Sequence, residues 1–216
     1  MPLKPKCFSD AAFAISDFLC GSRFTTRISA RKRPRRFIKS LAPPVFGVLI
    51  TYLDRASEIA AFCDALGARI AQLHGDIERN ELKRLKILDP DLTVIKSLVI
   101  GMRDEKALEG MLRELSPFVD AFITDTFDPN TGASGATGKT HQWRVSRRLV
   151  ELADRPVILA GGLTPENVKR AILEVRPAGV DSHTGVEDTS GRKSREKVEK
   201  FLSEANEAFE MIKARY

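Results

Sequence analysis

The sequence predicts an α/β protein, built either as a (β/α)8 barrel or as a doubly wound open sheet. From Val45 onward, short apolar runs alternate with segments of helical spacing in six consecutive βα units. Strands that alternate with helices indicate a parallel sheet. The apolar runs contain little polar alternation, as expected for strands buried on both faces. The 216 residues suit one barrel domain.

The six units follow one another without interruption. The predicted strands are VFGVLIT, RIAQLHG, TVIKSLVIG, AFITDTF, PVILAGG and GVDSHTG. The helices that follow them are DRASEIAAFCDALG, IERNELKRLKIL, DEKALEGMLREL, RVSRRLVELA, TPENVKRAILEV and SREKVEKFLSEANEAFEMIKA. Helix-end signals support these boundaries: Gly67 suits a left-handed C-cap, and Thr164 followed by Pro165 suits an N-cap with proline at the first helical position.

A complete barrel needs two further βα units, and only residues 1–44 precede the first regular strand. Within them, FSDAAFAISDFLCG and ARKRPRRFIKSLA each predict a helix, although Pro34 fits poorly inside the second. No convincing strand precedes either segment. We therefore expect one domain over residues 1–216, with a divergent first one or two βα units in residues 1–44. Most of the irregularity is expected in residues 1–30, and a barrel edge left open there would favour dimerisation.

Composition restricts the partners. Residues 1–44 contain ten Lys and Arg against two Asp, whereas the remaining residues are close to neutral. The RKRPRR run lacks interleaved aromatic residues and any nucleic-acid motif, so we interpret it as a solvated surface. No apolar run is long enough for a membrane span. Three cysteines without a CxxC pair indicate a reducing, cytoplasmic location, although an organelle transit segment also suits the basic start. The three histidines lack metal-ligand spacing, so no metal is expected.

Glycines at the ends of the last two predicted strands indicate a phosphate site. In both candidate folds, function lies at the carboxyl ends of the strands. Backbone N–H groups can approach an anion closely where side chains are small, and the last two loops of a barrel often bind phosphate in this way. The sequence therefore predicts a phosphate site at Gly161, Gly162, Thr184 and Gly185.

The segment ASGATGKT, residues 133–140, also fits a loose P-loop template, with Lys139 as its lysine. A P-loop is expected in the first phosphate-binding βα connection, with a separate strand ending in an Asp for Mg²⁺. This segment instead belongs to the sixth of eight connections, in a long loop. A P-loop nucleotide-binding protein is therefore the alternative from a different functional class.

Six segments form a distinctive combination: AQLHGD, TVIKSL, FITDT, GASGATGKTHQW, LAGGLTPENVKRAI and RPAGVDSHTGVEDTSGRK. Together they resemble the phosphoribosylanthranilate isomerase family of tryptophan biosynthesis, over about residues 27–209. The resemblance implies a barrel that converts N-(5-phosphoribosyl)anthranilate to 1-(2-carboxyphenylamino)-1-deoxyribulose 5-phosphate by an Amadori rearrangement, without cofactor. It implies a small phosphorylated sugar-amine substrate, a monomer or homodimer, and a mobile sixth loop in place of a P-loop. A related barrel that binds another sugar phosphate, with lost or altered activity, is the second hypothesis.

The resemblance also implies an acid and a base. The family's acid, at the end of the sixth strand, matches Asp125, whereas the nearby Asp128 precedes a proline and is typical of a turn. The family's base is a cysteine in a KICG motif that this sequence lacks. KPKCFSDAAFA offers Cys7 as the nearest match. Cys20 lies later, and Cys63 has the pattern of a core residue.

Substrate-binding roles follow from the same resemblance. An arginine in the family's second loop pairs with the anthranilate carboxylate, and it matches Arg27, with Arg23 as the alternative. His74 and Asp181 stand at strand ends, where they would orient the substrate or each other; for His74, a structural histidine with satisfied hydrogen bonds is the alternative. His183 replaces a family serine and would add a positively charged donor near the phosphate.

Overall fold

The computed structural model describes residues 12–17, 25–29, 34–43, 45–128, 133–134 and 142–214. The strands are β1 (Ala12–Asp17), β2 (Thr25–Ser29), β3 (Val45–Thr51), β4 (Ile70–Leu73), β5 (Thr93–Ile100), β6 (Ala121–Asp128), β7 (Ala133–Ser134), β8 (Val157–Leu159) and β9 (Gly179–Val180). The α-helices are α1 (Pro34–Ile38), α2 (Ala56–Leu66), α3 (Arg79–Leu88), α4 (Glu105–Leu115), α5 (Trp143–Leu152), α6 (Val168–Val175) and α7 (Arg195–Lys213), and short 3₁₀ turns cover Ser116–Phe118 and Thr184–Val186.

Six parallel strands pair in the order in which the chain makes them: β3, β4, β5, β6, β8 and β9. A doubly wound sheet reverses its strand order at a switch point, whereas a barrel adds each strand beside the last. The sequential order therefore favours the barrel. Within the ranges given above, no ladder joins β9 to the other end of the sheet, so the described strands form an open arc.

The amino-terminal strands run differently. β1 pairs antiparallel with both β2 and β3, with Ala12 opposite Ser29 on one side and opposite Ile50 on the other. The irregular start predicted for the barrel is thus confirmed, but the helix predicted for FSDAAFAISDFLCG is wrong over residues 12–17. The edge of β3 offers free backbone N–H and C=O groups, and pairing with such an edge overrides a weak local helix preference.

Three further predictions need correction. In the described part of ARKRPRRFIKSLA, residues 34–42, the helix covers Pro34–Ile38, and Pro34 is its first described residue, where a missing N–H is tolerated. α6 begins at Val168 rather than beside Thr164, because Asn167 Oδ1 accepts a hydrogen bond from Thr164 N (2.9 Å) and folds the intervening residues into a turn. GVDSHTG is a strand over Gly179–Val180 alone.

The core has an outer and an inner layer. The outer layer lies between the sheet and the helices. One cluster in this layer includes Leu49, Leu73 and Leu98, from β3, β4 and β5. A second cluster lies around Phe201, under α5, α6 and α7. The inner layer consists of aliphatic residues on the opposite face of the strands: Val48, Ile70, Ile95, Ala121, Ile123, Ile158 and Ala160. Because side chains alternate along a strand, residues that follow an inner-layer residue by two or four positions also point inward, toward the barrel mouth.

Candidate active site

Four polar side chains continue the inner face at the carboxyl ends of the strands. His74 follows Ile70 on β4 by an even number of residues, and Ser97 follows Ile95 on β5 in the same way. Asp125 follows Ile123 on β6, and Asp181 follows Gly179 at the end of β9. The period-two alternation of strands therefore directs all four to one place.

Asp125, His74 and Ser97 form a line across three neighbouring strands. His74 Nδ1 lies 3.0 Å from Ser97 Oγ, and His74 Nε2 lies 3.7 Å from Asp125 Oδ2. The edge of the Tyr52 ring packs against the imidazole, with ring centroids 4.9 Å apart. Thr126 N donates to Asp125 Oδ1 at 2.8 Å. Burial raises the pKa of Asp125 above the usual range of a carboxyl, although His74 and the Thr126 N–H both act to lower it.

Asp181 is a second buried carboxyl in the same mouth. Its Oδ1 is shielded from solvent and has no hydrogen-bond partner among the described residues. Burial, and to a smaller extent the charge of Asp125, raise the pKa of Asp181 to about 7 against the opposing effect of Lys193. Two carboxyls that disfavour each other's ionisation hold a proton near neutral pH, which is what an acid catalyst requires.

Lys96 was given no role by the sequence, yet it is 2% exposed. It points to the helix side of β5, and its Nζ donates to Ser97 O at 2.9 Å and to Leu73 O at 3.3 Å. Burial lowers the pKa of Lys96 to about 8. The ammonium therefore ties the carboxyl ends of β4 and β5 together. A lysine inside the predicted buried strand TVIKSLVIG was the available signal.

Lys96 and Ser97 also line a cavity of about 190 Å³ beside the line of three side chains. Tyr52, His74 and Met111 contribute to its wall, together with Arg103, whose Nη2 donates to both carboxylate oxygens of Asp76 at 2.9 Å. The cavity is small, and it combines aromatic and thioether surface with two cationic side chains.

The predicted phosphate residues lie in two loops that touch each other. Gly161 and Gly162 have φ of 101° and 63°, conformations that favour glycine. A Cβ added to Gly185 would lie 1.9 Å from Leu163 O, so the loop after β9 approaches the loop after β8 too closely for any side chain. Thr184 begins the 3₁₀ turn. The two loops thus form one glycine-lined corner.

Polar contacts hold this corner in shape. Ser182 Oγ donates to Leu163 O at 2.6 Å, and Asn167 Nδ2 donates to Gly162 O at 3.0 Å. His183 Nδ1 lies 3.5 Å from Glu187 Oε1, and Lys193 Nζ donates to His183 O at 2.6 Å. The histidine therefore lies beside a carboxylate.

Several predicted residues lie outside the described parts of the chain. Cys7 is one of them, as are the alternatives Cys20 and Arg23 and the lysine of the loose P-loop match, Lys139. Arg27 belongs to β2, where the backbone is described but the side chain is not. Cys63, predicted to be a core residue, is fully buried in α2, and burial raises its pKa to about 12.

The segment that matches the loose P-loop template begins as a strand rather than as a loop leading into a helix. β7 pairs antiparallel with the end of β6, with Ser134 opposite Phe127. The next described helix, α5, begins at Trp143. In a P-loop, the strand leads through the glycine-rich turn directly to a helix amino terminus. The hairpin-like return of β7 onto β6 therefore disagrees with that alternative.

Neither a membrane span nor a metal cluster is found in the part of the chain that the structure describes. None of its helices is long and apolar enough to cross a bilayer. No three His, Cys, Asp or Glu side chains within that part gather as a set of metal ligands.

Comparison with known proteins gives one consistent family. The model of the family "N-(5'phosphoribosyl)anthranilate (PRA) isomerase" matches residues 22–204. N-(5'-phosphoribosyl)anthranilate isomerase 2 of Methanosarcina mazei is 39% identical over 179 residues, which is 81% of this chain and 76% of that protein. The isomerase of Haloferax volcanii is 36% identical over 200 residues, covering 93% of this chain and 85% of its own length.

Solved structures agree with these relatives. The isomerase from Pyrococcus furiosus has a TM-score of 0.65 at 30% identity, covering 84% of this chain and 82% of its own. An isomerase in complex with reduced 1-(o-carboxyphenylamino)-1-deoxyribulose 5-phosphate has a TM-score of 0.61 at 27% identity, covering 80% and 77%.

Proposed function

The chain belongs to the N-(5'-phosphoribosyl)anthranilate isomerase family, and we propose that it catalyses the Amadori rearrangement of N-(5-phosphoribosyl)anthranilate to 1-(2-carboxyphenylamino)-1-deoxyribulose 5-phosphate. The observation that carries this proposal is the largely buried Asp125 in the carboxyl-terminal half of β6, facing His74 in a mouth that also contains a glycine-lined corner. The enzyme is an aldose-ketose isomerase of tryptophan biosynthesis. We place it in the cytoplasm, as one domain over residues 1–216.

The acid step falls to Asp125. Opening the ribofuranose ring requires a proton on the ring oxygen, and burial keeps this carboxyl protonated at a higher pH than an exposed one. After the proton leaves, Thr126 N–H and His74 stabilise the carboxylate. Asp181 shares the mouth and adds a negative charge when ionised, which favours retention of the Asp125 proton.

The substrate phosphate is expected at the corner of Gly161, Gly162, Thr184 and Gly185. Small residues let backbone N–H groups reach the anion, and the close approach of Gly185 to Leu163 joins the two loops into one wall. His183, beside Glu187, is a nearby cation when protonated. This anchors one end of the substrate while its C1–C2 region lies between the carboxyl side chains.

The catalytic base and the residue that binds the anthranilate carboxylate are proposed from the family resemblance. Loss of the C2 proton needs a base, for which Cys7 is the candidate, and the anthranilate carboxylate is assigned to Arg27. A thiolate suits the proton transfer if its pKa is lowered by its surroundings. His74 and Asp181, at the carboxyl ends of β4 and β9, contact or orient the substrate.

Turnover of freshly generated phosphoribosylanthranilate, followed by the decay of its fluorescence, tests the assignment. We expect Asp125→Asn and Cys7→Ser each to lower kcat by roughly 10²–10⁴-fold, the usual contribution of an acid or base. Cys20→Ser is the matched control for Cys7→Ser. Absence of decay in the wild type, together with retained binding of inorganic phosphate by calorimetry, would indicate a sugar-phosphate barrel with a different reaction.

Alkylation provides a second test of the base. Cys63 is buried and its pKa is raised to about 12, so iodoacetamide should not modify it in the folded protein. Inactivation by the reagent therefore reports Cys7 or Cys20, and protection by the product assigns the thiol to the site. Full activity after complete alkylation of Cys7 and Cys20 would contradict the role of Cys7.

A further inference from the structure

Ser97 stands in direct contact with the ring that faces the acid. Its hydroxyl is 1% exposed and lies 3.0 Å from His74 Nδ1, on the side of the imidazole away from Asp125. The other ring nitrogen, Nε2, lies 3.7 Å from Asp125 Oδ2. The serine is thus positioned to decide which nitrogen of His74 carries a proton.

The direction of the hydrogen bond follows from the partners of Ser97. A serine hydroxyl has one proton to donate, and a buried hydroxyl uses it. Within the described residues, the side chain of Ser97 has one hydrogen-bond partner, His74 Nδ1. The hydroxyl therefore donates to Nδ1, which must then be the unprotonated nitrogen. The proton of the neutral ring is left on Nε2, where it faces Asp125.

We infer that Ser97 is a positioning residue for the isomerase reaction: it holds His74 as the Nε2–H tautomer, so that an N–H donor faces Asp125 when that side chain gives up its proton. The inference rests on the proposed function for its catalytic meaning, but the tautomer itself does not depend on turnover. Without the serine, either nitrogen can carry the proton, and the Nδ1–H form would present a lone pair to the carboxylate.

Lys96 connects the two strands that carry His74 and Ser97. Its ammonium donates to Leu73 O, which directly precedes His74, and to Ser97 O. The strands that carry the histidine and the serine are thus joined by one buried cation at the point where both side chains project. Register pairing of Leu73 with Lys96 in the β4–β5 ladder supports the same alignment.

The charged groups around Asp125 give the direction of the expected pH effect. His74 faces it from β4, Asp181 from the end of β9, and Lys193 acts through Asp181 from the loop before α7. Loss of the Nε2–H donor removes one stabilising contact of the carboxylate and leaves the repulsion from Asp181. The pKa of Asp125 should then rise, and the alkaline limb of kcat/KM should move to higher pH.

Nitrogen-15 NMR of the histidine rings, labelled in the full-length protein, tests the inference directly. The His74 signals are assigned by their loss in His74→Gln. We expect a neutral Nε2–H ring in the wild type and a substantial Nδ1–H population in Ser97→Ala. Ser116→Ala is the matched control, because Ser116 is also buried but donates to Leu112 O within the helix layer.

Two NMR results would overturn the inference: an Nδ1–H or doubly protonated His74 in the wild type, or an unchanged Nε2–H ring in Ser97→Ala. Kinetics then test the catalytic meaning. We expect kcat of Ser97→Ala to fall roughly tenfold, as for the loss of one oriented hydrogen bond to a charged group, with KM nearly constant. A tautomer change without any change in kcat or in the pH profile would refute the positioning role. Absence of turnover in the wild type would refute the proposed function alone.

Discussion

Replacement of Gly185 by alanine tests the phosphate corner most sharply, because the clash is with backbone. The added Cβ would lie 1.9 Å from Leu163 O and 2.8 Å from the Leu163 carbonyl carbon, whereas an ordinary contact is 3.4 Å or more. One of the two loops must therefore move by about 1.5 Å. Leu163 O also accepts the hydrogen bond from Ser182 Oγ at 2.6 Å, so the movement breaks that bond.

The cost can be estimated from these two effects. Overpacking costs roughly 1–3 kcal/mol, and loss of a buried hydrogen bond costs about 1 kcal/mol more. For a chain of this length, the melting temperature should fall by on the order of 5–10 °C. The displaced N–H groups should also raise KM by roughly tenfold or more, which corresponds to about 1.4 kcal/mol, with a smaller change in kcat.

Thermal denaturation with and without inorganic phosphate, followed by steady-state kinetics, measures both quantities. Gly110→Ala is the matched control, since a Cβ there meets nothing within 4 Å in the middle of α4. That control should stabilise the protein by roughly 0.5–1 kcal/mol and leave KM unchanged. A Gly185→Ala variant with wild-type stability, wild-type KM and normal stabilisation by phosphate would show that the corner does not bind the phosphate.

Two buried charges should make stability depend on pH in opposite ways. The folded pKa of Lys96 is lowered from 10.5 to about 8, so the wild type should gain about 2 kcal/mol relative to Lys96→Met between pH 7 and pH 9.5. Urea denaturation measures this gain, the exposed Lys83→Met is the control, and a flat difference would contradict the burial of the ammonium. The pKa of Asp181 is raised from 3.8 to about 7, so the wild type should lose about 3 kcal/mol relative to Asp181→Asn between pH 5 and pH 8. A difference that stays constant or grows in favour of the wild type would refute this.

The regular part of the fold could be predicted because local signals and burial agree there. VFGVLIT is β3 with the same boundaries, and Gly67 has the left-handed conformation expected of a C-cap, with φ of 72°. Asp104 caps α4 by accepting from Ala107 N. In the two caps, the chemistry of the residue itself determines the local conformation, so the neighbouring sequence is enough to predict where the helix begins or ends.

The amino-terminal part could not be predicted in the same way. Ala12–Asp17 has alanines that suit a helix, and its strand conformation is decided by pairing with β3, whose residues lie more than 25 positions later. Pairing over such a distance leaves no signal in the segment itself. The helix prediction failed because tertiary hydrogen bonds outweighed a small intrinsic preference.

Sequence reasoning found single residues of the site more readily than their relations. The ends of the strands indicated His74 and Asp125, because strand period and barrel geometry place such residues at the mouth. The contact between His74 and Ser97 depends on the register of β4 against β5, which sequence does not give. The role of Lys96 could not be predicted for the same reason, because its ammonium binds two backbone carbonyl groups rather than side chains.

The site divides into two parts that experiments can separate. The proposed acid Asp125 and the glycine-lined corner lie on the six parallel strands and the loops after them, and the contacts given above for both join residues between 45 and 213. The proposed base Cys7 and the carboxylate ligand Arg27 precede β3. Phosphate binding should therefore survive Cys7→Ser and Arg27→Ala, whereas isomerisation requires both parts at once. If Cys7→Ser abolished phosphate binding as well, the amino-terminal residues would be shaping the corner itself, and the division of roles along the chain would be wrong.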